Sequence, residues 1–119
     1  MSKYINVKNN LIADIEAISY NVEKQVEEYI RYGVGASVTE LIETWFDFMP
    51  RIIVDMIEEK DITIQEAKLL IQFNEVITDI SRKLDYKVKS EDVFRSDPNW
   101  AKLREKAKEI YEKLQKVKS

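Results

Sequence analysis

The 119-residue chain contains neither cysteine nor histidine. Without cysteine it can form no disulfide and no thiolate metal site. Without histidine it lacks imidazole metal ligands, histidine proton shuttles and Ser-His triads. Any catalysis would have to use carboxylates, lysines, tyrosines or hydroxyl groups. These two absences exclude most classes of enzyme, and we expect no cofactor.

Glycine and proline are also scarce, with two of each in a sequence that is 45% hydrophobic and 34% charged. This composition is typical of a folded, helix-rich protein. No run approaches 18 uncharged apolar residues, and the first ten residues lack the apolar segment of a signal peptide. We expect one cytoplasmic domain over residues 1–119, with a virion component as the alternative. The abundance of Lys and Glu would also suit a thermophile.

Apolar residues at spacings of three and four predict a first helix over residues 3–32 and a second over residues 37–59. Ser37 and Glu40 have the spacing of a capping box at the start of the second helix. The apolar rhythm continues through Pro50, which predicts a kink there. The alternative is two short helices, with Asp47 capping the second.

The same periodicity predicts a third helix over residues 63–86, which begins at a second capping box formed by Thr63 and Glu66. A polar connector follows, and Asp97 and Pro98 are the N-cap and first residue of a fourth helix. The predicted fold is all-α: an antiparallel bundle of four principal helices, or five if Pro50 or residues 90–96 divide the chain differently. Its N-terminal helix is long, and its C-terminal helix is amphipathic and basic.

The two glycines, Gly33 and Gly35, lie directly before the second helix. A phosphate-binding loop needs a strand before the glycines, and the P-loop type needs a G-K-[ST] after them. Here the preceding segment is helical and no such motif follows. We therefore predict that Gly33 is a left-handed C-cap and that Gly35 lets the chain reverse.

Acidic residues form the best enzymatic candidate. Glu40, Glu43 and Asp47 share a face of the second helix, and with Glu27 and Glu28 they could hold Mg²⁺ through oxygen ligands. A solvated helix face is the commoner explanation of such a pattern.

The acidic arrangement resembles the all-α NTP pyrophosphatases, which bind Mg²⁺ with an E-E-x-x-E helix and a following E-x-x-D helix. Two departures are visible: Arg31 stands where the third acid belongs, and Glu43 and Asp47 are one residue too far apart. The resemblance implies a Mg²⁺-dependent nucleotide pyrophosphohydrolase, which we keep as the alternative function.

Aromatic residues concentrate around the bend between the first two helices. Tyr29, Tyr32, Phe46 and Phe48 lie there, and the last two fall at opposite margins of the apolar arc of their helix. Most of this arc should be core, but an exposed aromatic beside a core is typical of a protein interface. We therefore take these four residues as interface candidates.

Charge is distributed unevenly along the chain. Residues 98–119 carry seven Lys and Arg against three Glu, a net +4, so residues 1–97 carry −7 of the total −3. Arg104, Lys106 and Lys113 flank the apolar stripe of the fourth helix and are further interface candidates. A parallel copy would oppose like charges, so we expect this helix to dock on the acid-flanked first helix, near Asp14 and Glu28.

Nucleic-acid binding by the basic fourth helix is the third hypothesis. Against it stand the overall acidity, the glutamates interleaved with the lysines and the lack of a DNA-binding motif. Our leading hypothesis is a small non-enzymatic protein that binds another protein or assembles with itself, of a type frequent among viral and mobile-element proteins. We expect no catalytic residue, no metal, no membrane and no nucleic-acid partner.

Overall fold

The computed structural model describes residues 3–117, and all of its regular secondary structure is helical. Seven α-helices occur, with one 3₁₀ turn (Gly33–Ala36) between the second and third. They are α1 (Ile5–Ser19), α2 (Val22–Tyr32), α3 (Val38–Phe46), α4 (Ile52–Glu58), α5 (Ile64–Ser81), α6 (Ser90–Ser96) and α7 (Pro98–Val117). The all-α class is confirmed, with more helices than the four or five predicted. Within residues 3–117, none of these helices combines the length and apolarity needed to cross a membrane.

The predicted single helix over residues 3–32 is wrong, because the chain breaks at Tyr20 and Asn21. The Asn21 backbone is extended, and its side-chain oxygen accepts a hydrogen bond of 2.9 Å from the Lys24 N–H. Asparagine is among the best N-cap residues, since its side chain satisfies a donor that the helix leaves unpaired. The apolar stripe conceals the break because it continues in register from α1 into α2.

The kinked helix predicted through Pro50 is also wrong, and the alternative of two short helices is observed. Proline has no N–H to donate within a helix, and its ring clashes with the preceding turn. Asp47 is the C-cap of α3, however, and the N-cap of α4 is Arg51. The Arg51 guanidinium donates to the Asp47 backbone carbonyl.

Helix α5 begins at the predicted capping box. The Glu66 N–H donates to the Thr63 hydroxyl over 3.1 Å, and the Thr63 N–H donates to the Glu66 carboxylate over 3.0 Å. The helix ends at Ser81, five residues before the predicted end. Tyr86 lies beyond that end, and its hydroxyl donates to the Ser81 carbonyl over 2.6 Å.

The predicted polar connector contains helix α6, which buries Val93 and Phe94. Two adjacent apolar residues in a charged segment gave too short a pattern to predict a helix. The start of α7 is as predicted: Asp97 accepts hydrogen bonds from the Asn99 and Trp100 N–H groups, at 2.8 and 3.3 Å.

Helix α7 docks within its own chain and completes the core, as predicted. It packs against α1 and α5. Its inward side chains are fully buried in one apolar cluster that includes every helix; they are Trp100, Leu103, Ala107, Ile110 and Leu114. Each large side chain of this kind contributes about 1.5–3 kcal/mol when it is buried.

The predicted charge match between α7 and the first helix is wrong. Lys106 and Lys113 pair with Glu109 on their own helix, at 3.5 and 3.2 Å. Asp14 lies near Asp47 of the α3 end. Glu28 follows the break at Asn21 and therefore belongs to the separate helix α2.

A buried amide, Gln25, replaces the predicted charge match. Its Nε2 donates to the carbonyls of Ala17 and Ile18 at the end of α1, over 3.3 and 3.0 Å. Its Oε1 accepts from Trp100 Nε1 over 3.0 Å and from the Arg104 guanidinium over 2.8 and 3.2 Å. One neutral side chain of α2 thus ties α1 to α7.

Arg104 extends this network to α6. Its guanidinium donates to the Phe94 carbonyl over 2.9 Å, in addition to its bonds with Gln25. Burial lowers the pKa of Arg104. Both of its hydrogen-bond acceptors are neutral, and the negative charge of the neighbouring Glu105 opposes the effect of burial.

Replacing Gln25 by alanine should lower the free energy of unfolding by about 3 kcal/mol, because the Trp100 and Arg104 donors would remain buried without their acceptor. Urea unfolding followed by circular dichroism measures this. Gln65→Ala, at an exposed position of α5, is the matched control and should change stability by less than about 0.5 kcal/mol. Equal effects of the two substitutions would contradict the assigned role of the network.

Candidate functional site

The turn between α2 and α3 determines which side chains reach the surface there. Gly33 caps α2 with φ 63° and ψ −133°, and its N–H donates to the Tyr29 carbonyl. The predicted positive φ is confirmed. The Ser37 hydroxyl accepts from the Glu40 N–H over 3.2 Å, as predicted, whereas the Ser37 N–H donates to the Val34 carbonyl over 3.1 Å.

Three large apolar side chains around this turn are mostly exposed. Ile30 is 74% exposed, Tyr32 62% and Val34 77%. The inner face of α2 is covered, since Val26 is buried and Tyr29 packs edge-on against Phe94 with ring centroids 6.4 Å apart. We call Ile30, Tyr32 and Val34 the apolar patch.

A groove of about 270 Å³ lies beside the apolar patch. Its lining is mainly apolar and comes from the end of α1, the turn, α3 and α6, and α2 contributes polar groups. The lining residues are Ala17, Tyr20, Gln25, Glu28, Gly35, Ala36, Leu41 and Phe94. The Gln25 amide is already engaged by α1 and α7. The Glu28 carboxylate forms no hydrogen bond or ion pair with any residue of the described range 3–117.

The exposed face of α2 carries charges of both signs. Glu23 is in the first turn and Arg31 in the last. Arg31 lies 3.9 Å from Glu27, and both side chains are largely exposed. Lys24 is held elsewhere, with its ammonium 3.8 Å above the Tyr20 ring centroid.

The structure does not bring the predicted interface residues together. Tyr29, Phe46 and Phe48 are half-buried against the core, which leaves Tyr32 as the exposed aromatic of the four. The candidates of α7 lie elsewhere: Arg104 belongs to the Gln25 network, and Lys106 and Lys113 pair with Glu109. The hydrogen bond from Lys113 and the charge of Lys106 lower the pKa of Glu109.

The sequence did not predict Ile30 and Val34 as site residues. Val34 lies between the two glycines, and Ile30 falls outside the apolar stripe of its helix. An apolar residue off the stripe, next to a predicted turn, was the signal that could have identified them.

The five acids of the alternative function lie on α2, on α3 and at the end of α3. Glu27, Glu43 and Asp47 are exposed, and Glu28 and Glu40 are half-buried. Across residues 3–117, no three acidic side chains are placed to share a metal ion.

Asp14 is an unusual carboxyl that the sequence did not single out as a site. Its Oδ2 is buried and has no hydrogen-bond partner. Burial, and then the charge of Asp47, raise the pKa of Asp14 from 3.8 to about 7. A carboxyl with this pKa changes its charge near neutral pH, so its ionisation is linked to folding stability.

Comparisons of this chain with protein-family models, with curated proteins and with solved structures give no match.

Ionisation of Asp14 should make stability fall as pH rises. Between about pH 4 and pH 7 the unfolded chain releases this proton while the folded chain retains it, so the folded state loses relative stability across that window. Asp14→Asn should remove the decline and add roughly 1 kcal/mol at pH 8, after allowance for partial solvent access. Urea unfolding at pH 5 and pH 8 measures it. Asp55→Asn, at an exposed position, is the control. If Asp14→Asn and the wild type show the same dependence of stability on pH, ionisation of Asp14 is not the cause of the decline.

Substitution of Gly33 tests the turn. Its φ of 63° disfavours any side chain, although a Cβ would meet no atom within 4 Å. Gly33→Ala should therefore cost about 1–2 kcal/mol through backbone strain alone. Gly35→Ala, which has equally open space and no positive φ, should be close to neutral. Thermal melts of both variants give the comparison, and equal melting temperatures would exclude strain at Gly33.

Proposed function

We propose that this protein is non-enzymatic and acts by binding a protein, either a different one or another copy of itself. The observation that carries the proposal is the exposure of Ile30, Tyr32 and Val34 within five residues of one another. Several exposed apolar side chains close together on a folded protein indicate an interaction site. The adjacent groove offers a concave apolar surface that a partner's side chain can fill.

The composition and the placement of charged groups favour binding over catalysis. The chain has no histidine or cysteine. The five acids of the pyrophosphohydrolase alternative are spread over α2, α3 and the end of α3. Asp14 has a suitable pKa for proton transfer, but its free oxygen is enclosed by the core. We propose that this carboxyl is a structural feature and that the protein uses no metal or cofactor.

We also infer that α1, α3, α5 and α7 form an up-down-up-down antiparallel bundle. Lys8 pairs with Glu66 at 3.3 Å, which supports placing the starts of α1 and α5 side by side. Trp100 bonds to Gln25 just after α1, which supports an α7 that runs back along α1.

Helix α3 fits the same arrangement. Leu41, early in α3, shares the groove with Ala17, late in α1. Asp47, at the other end of α3, lies near Asp14. In this bundle the apolar patch and the groove occupy one end, where α1 finishes and α3 and α7 begin, so a partner could reach them without disturbing the core.

A triple substitution of the apolar patch, Ile30→Ser, Tyr32→Ser and Val34→Ser, tests the proposal. The matched control is Val54→Ser, Ile64→Ser and Ile71→Ser, which removes exposed apolar side chains from α4 and α5. Because the patch residues contact little of the core, both variants should melt within about 5 °C of the wild type.

The readout combines light scattering with affinity capture from the source organism's lysate. The patch variant should lose its bound protein or its self-association, and the control should retain it. Retention by the patch variant would contradict the proposed surface. Pyrophosphate release from an NTP with Mg²⁺, abolished by Glu43→Gln, would instead favour the pyrophosphohydrolase alternative.

A further inference from the structure

We infer that the groove accepts the apolar patch of a second copy of this chain, so that two copies form a two-fold dimer through α2 and the 3₁₀ turn. The inference rests on the proposed function and names the partner. Two observations support it: the patch and the groove lie on the same turn, and acidic and basic residues follow one another along α2 in an order that suits an antiparallel copy.

The convex and concave surfaces are adjacent in each chain. Val34 belongs to the patch, and the next two residues, Gly35 and Ala36, line the groove. A two-fold axis beside the turn places the patch of each copy on the groove of the other. The contact is then made twice, as in any isologous interface, and neither copy retains an open patch.

The charges of α2 match an antiparallel copy of the same helix. Its acids begin with Glu23 in the first turn, and its last turn carries Arg31. Antiparallel apposition brings Arg31 of one copy towards the acidic residues of the other, whereas parallel apposition would oppose like charges. The overall charge of −3 is small, so self-repulsion is weak.

Glu28 supplies the specific contact at the groove. It is half-buried in the groove lining and forms no ion pair within residues 3–117. Arg31 contacts Tyr32 and Glu27 of its own helix and is also near its own Glu28, but these side chains lie at the exposed surface and the Glu27 pair is 3.9 Å long, so Arg31 can turn towards the partner subunit's Glu28. Exposed ion pairs of that kind contribute little to stability, so breaking the pair with Glu27 to form one with the partner subunit's Glu28 costs little.

Charge reversal tests the dimer directly. Sedimentation velocity of the full chain over a concentration series should show a monomer–dimer equilibrium. Glu28→Arg and Arg31→Glu should each raise the dissociation constant by roughly tenfold or more, because each creates like-charge contacts across the axis. Glu75→Arg, on the exposed face of α5, is the control and should leave the constant unchanged. Circular dichroism melts verify that each variant is folded.

Mixing the two single variants gives the decisive result. In a two-fold dimer of one Glu28→Arg chain and one Arg31→Glu chain, the introduced arginine of the first faces the introduced glutamate of the second. The unchanged Arg31 of the first chain and the unchanged Glu28 of the second also face each other. An equimolar mixture should therefore dimerise about as tightly as the wild type. The double variant should recover in the same way.

The outcomes separate this inference from the proposed function. A wild-type chain that stays monomeric, while the triple-serine patch variant still loses a captured protein, would overturn the dimer and leave the proposed function standing. A dimer that neither charge reversal nor the patch variant weakens would overturn the inferred dimer and the proposed patch, because the copies would then associate through another surface. If the single variants dimerise more weakly and their mixture does not regain the wild-type affinity, Glu28 and Arg31 do not face each other across a two-fold axis.

Discussion

The fold depends on the side chain of Gln25. Helix α1 ends at the half-buried Ser19, where its last carbonyl groups need donors, and the start of α7 brings an indole N–H and a guanidinium that need an acceptor. One amide satisfies both needs because it has two donors and an acceptor oxygen on the same planar group. A carboxylate could not donate to α1, and an ammonium could not accept from α7.

The sequence predicted the helix starts that a local side-chain cap with a clear change of pattern marks. Thr63, Ser37 and Asp97 act locally, through bonds to residues two or three positions away, so their capping roles were visible in the sequence. The break at Asn21 was missed because the apolar stripe runs through it. The burial of Gln25 could not be predicted either, since its partners Trp100 and Arg104 lie 75 and 79 residues away.

The candidate site was predicted only in part, for a related reason. Tyr32 was selected as an aromatic beside a bend, but its exposure depends on which helices cover the neighbouring turn. Tyr29, three residues earlier, is covered by Phe94 of α6, a helix that the sequence did not predict. The buried oxygen of Asp14 likewise depends on how α3 packs against α1. Burial of this kind is a property of the assembled helices and has no local sequence signal.

The pairing of α1 with α7 has a consequence for synthesis of the chain. Glu16 of α1 accepts a hydrogen bond from Tyr111 of α7, 95 residues later. At about 5–20 residues per second, a ribosome needs roughly 5–20 s to add that length. Throughout this time the part of the apolar face of α1 that α7 covers has no permanent cover. Helix α1 is thus made long before α7 can cover it, and a nascent chain interrupted before residue 98 would expose apolar side chains of α1 of the kind that chaperones bind.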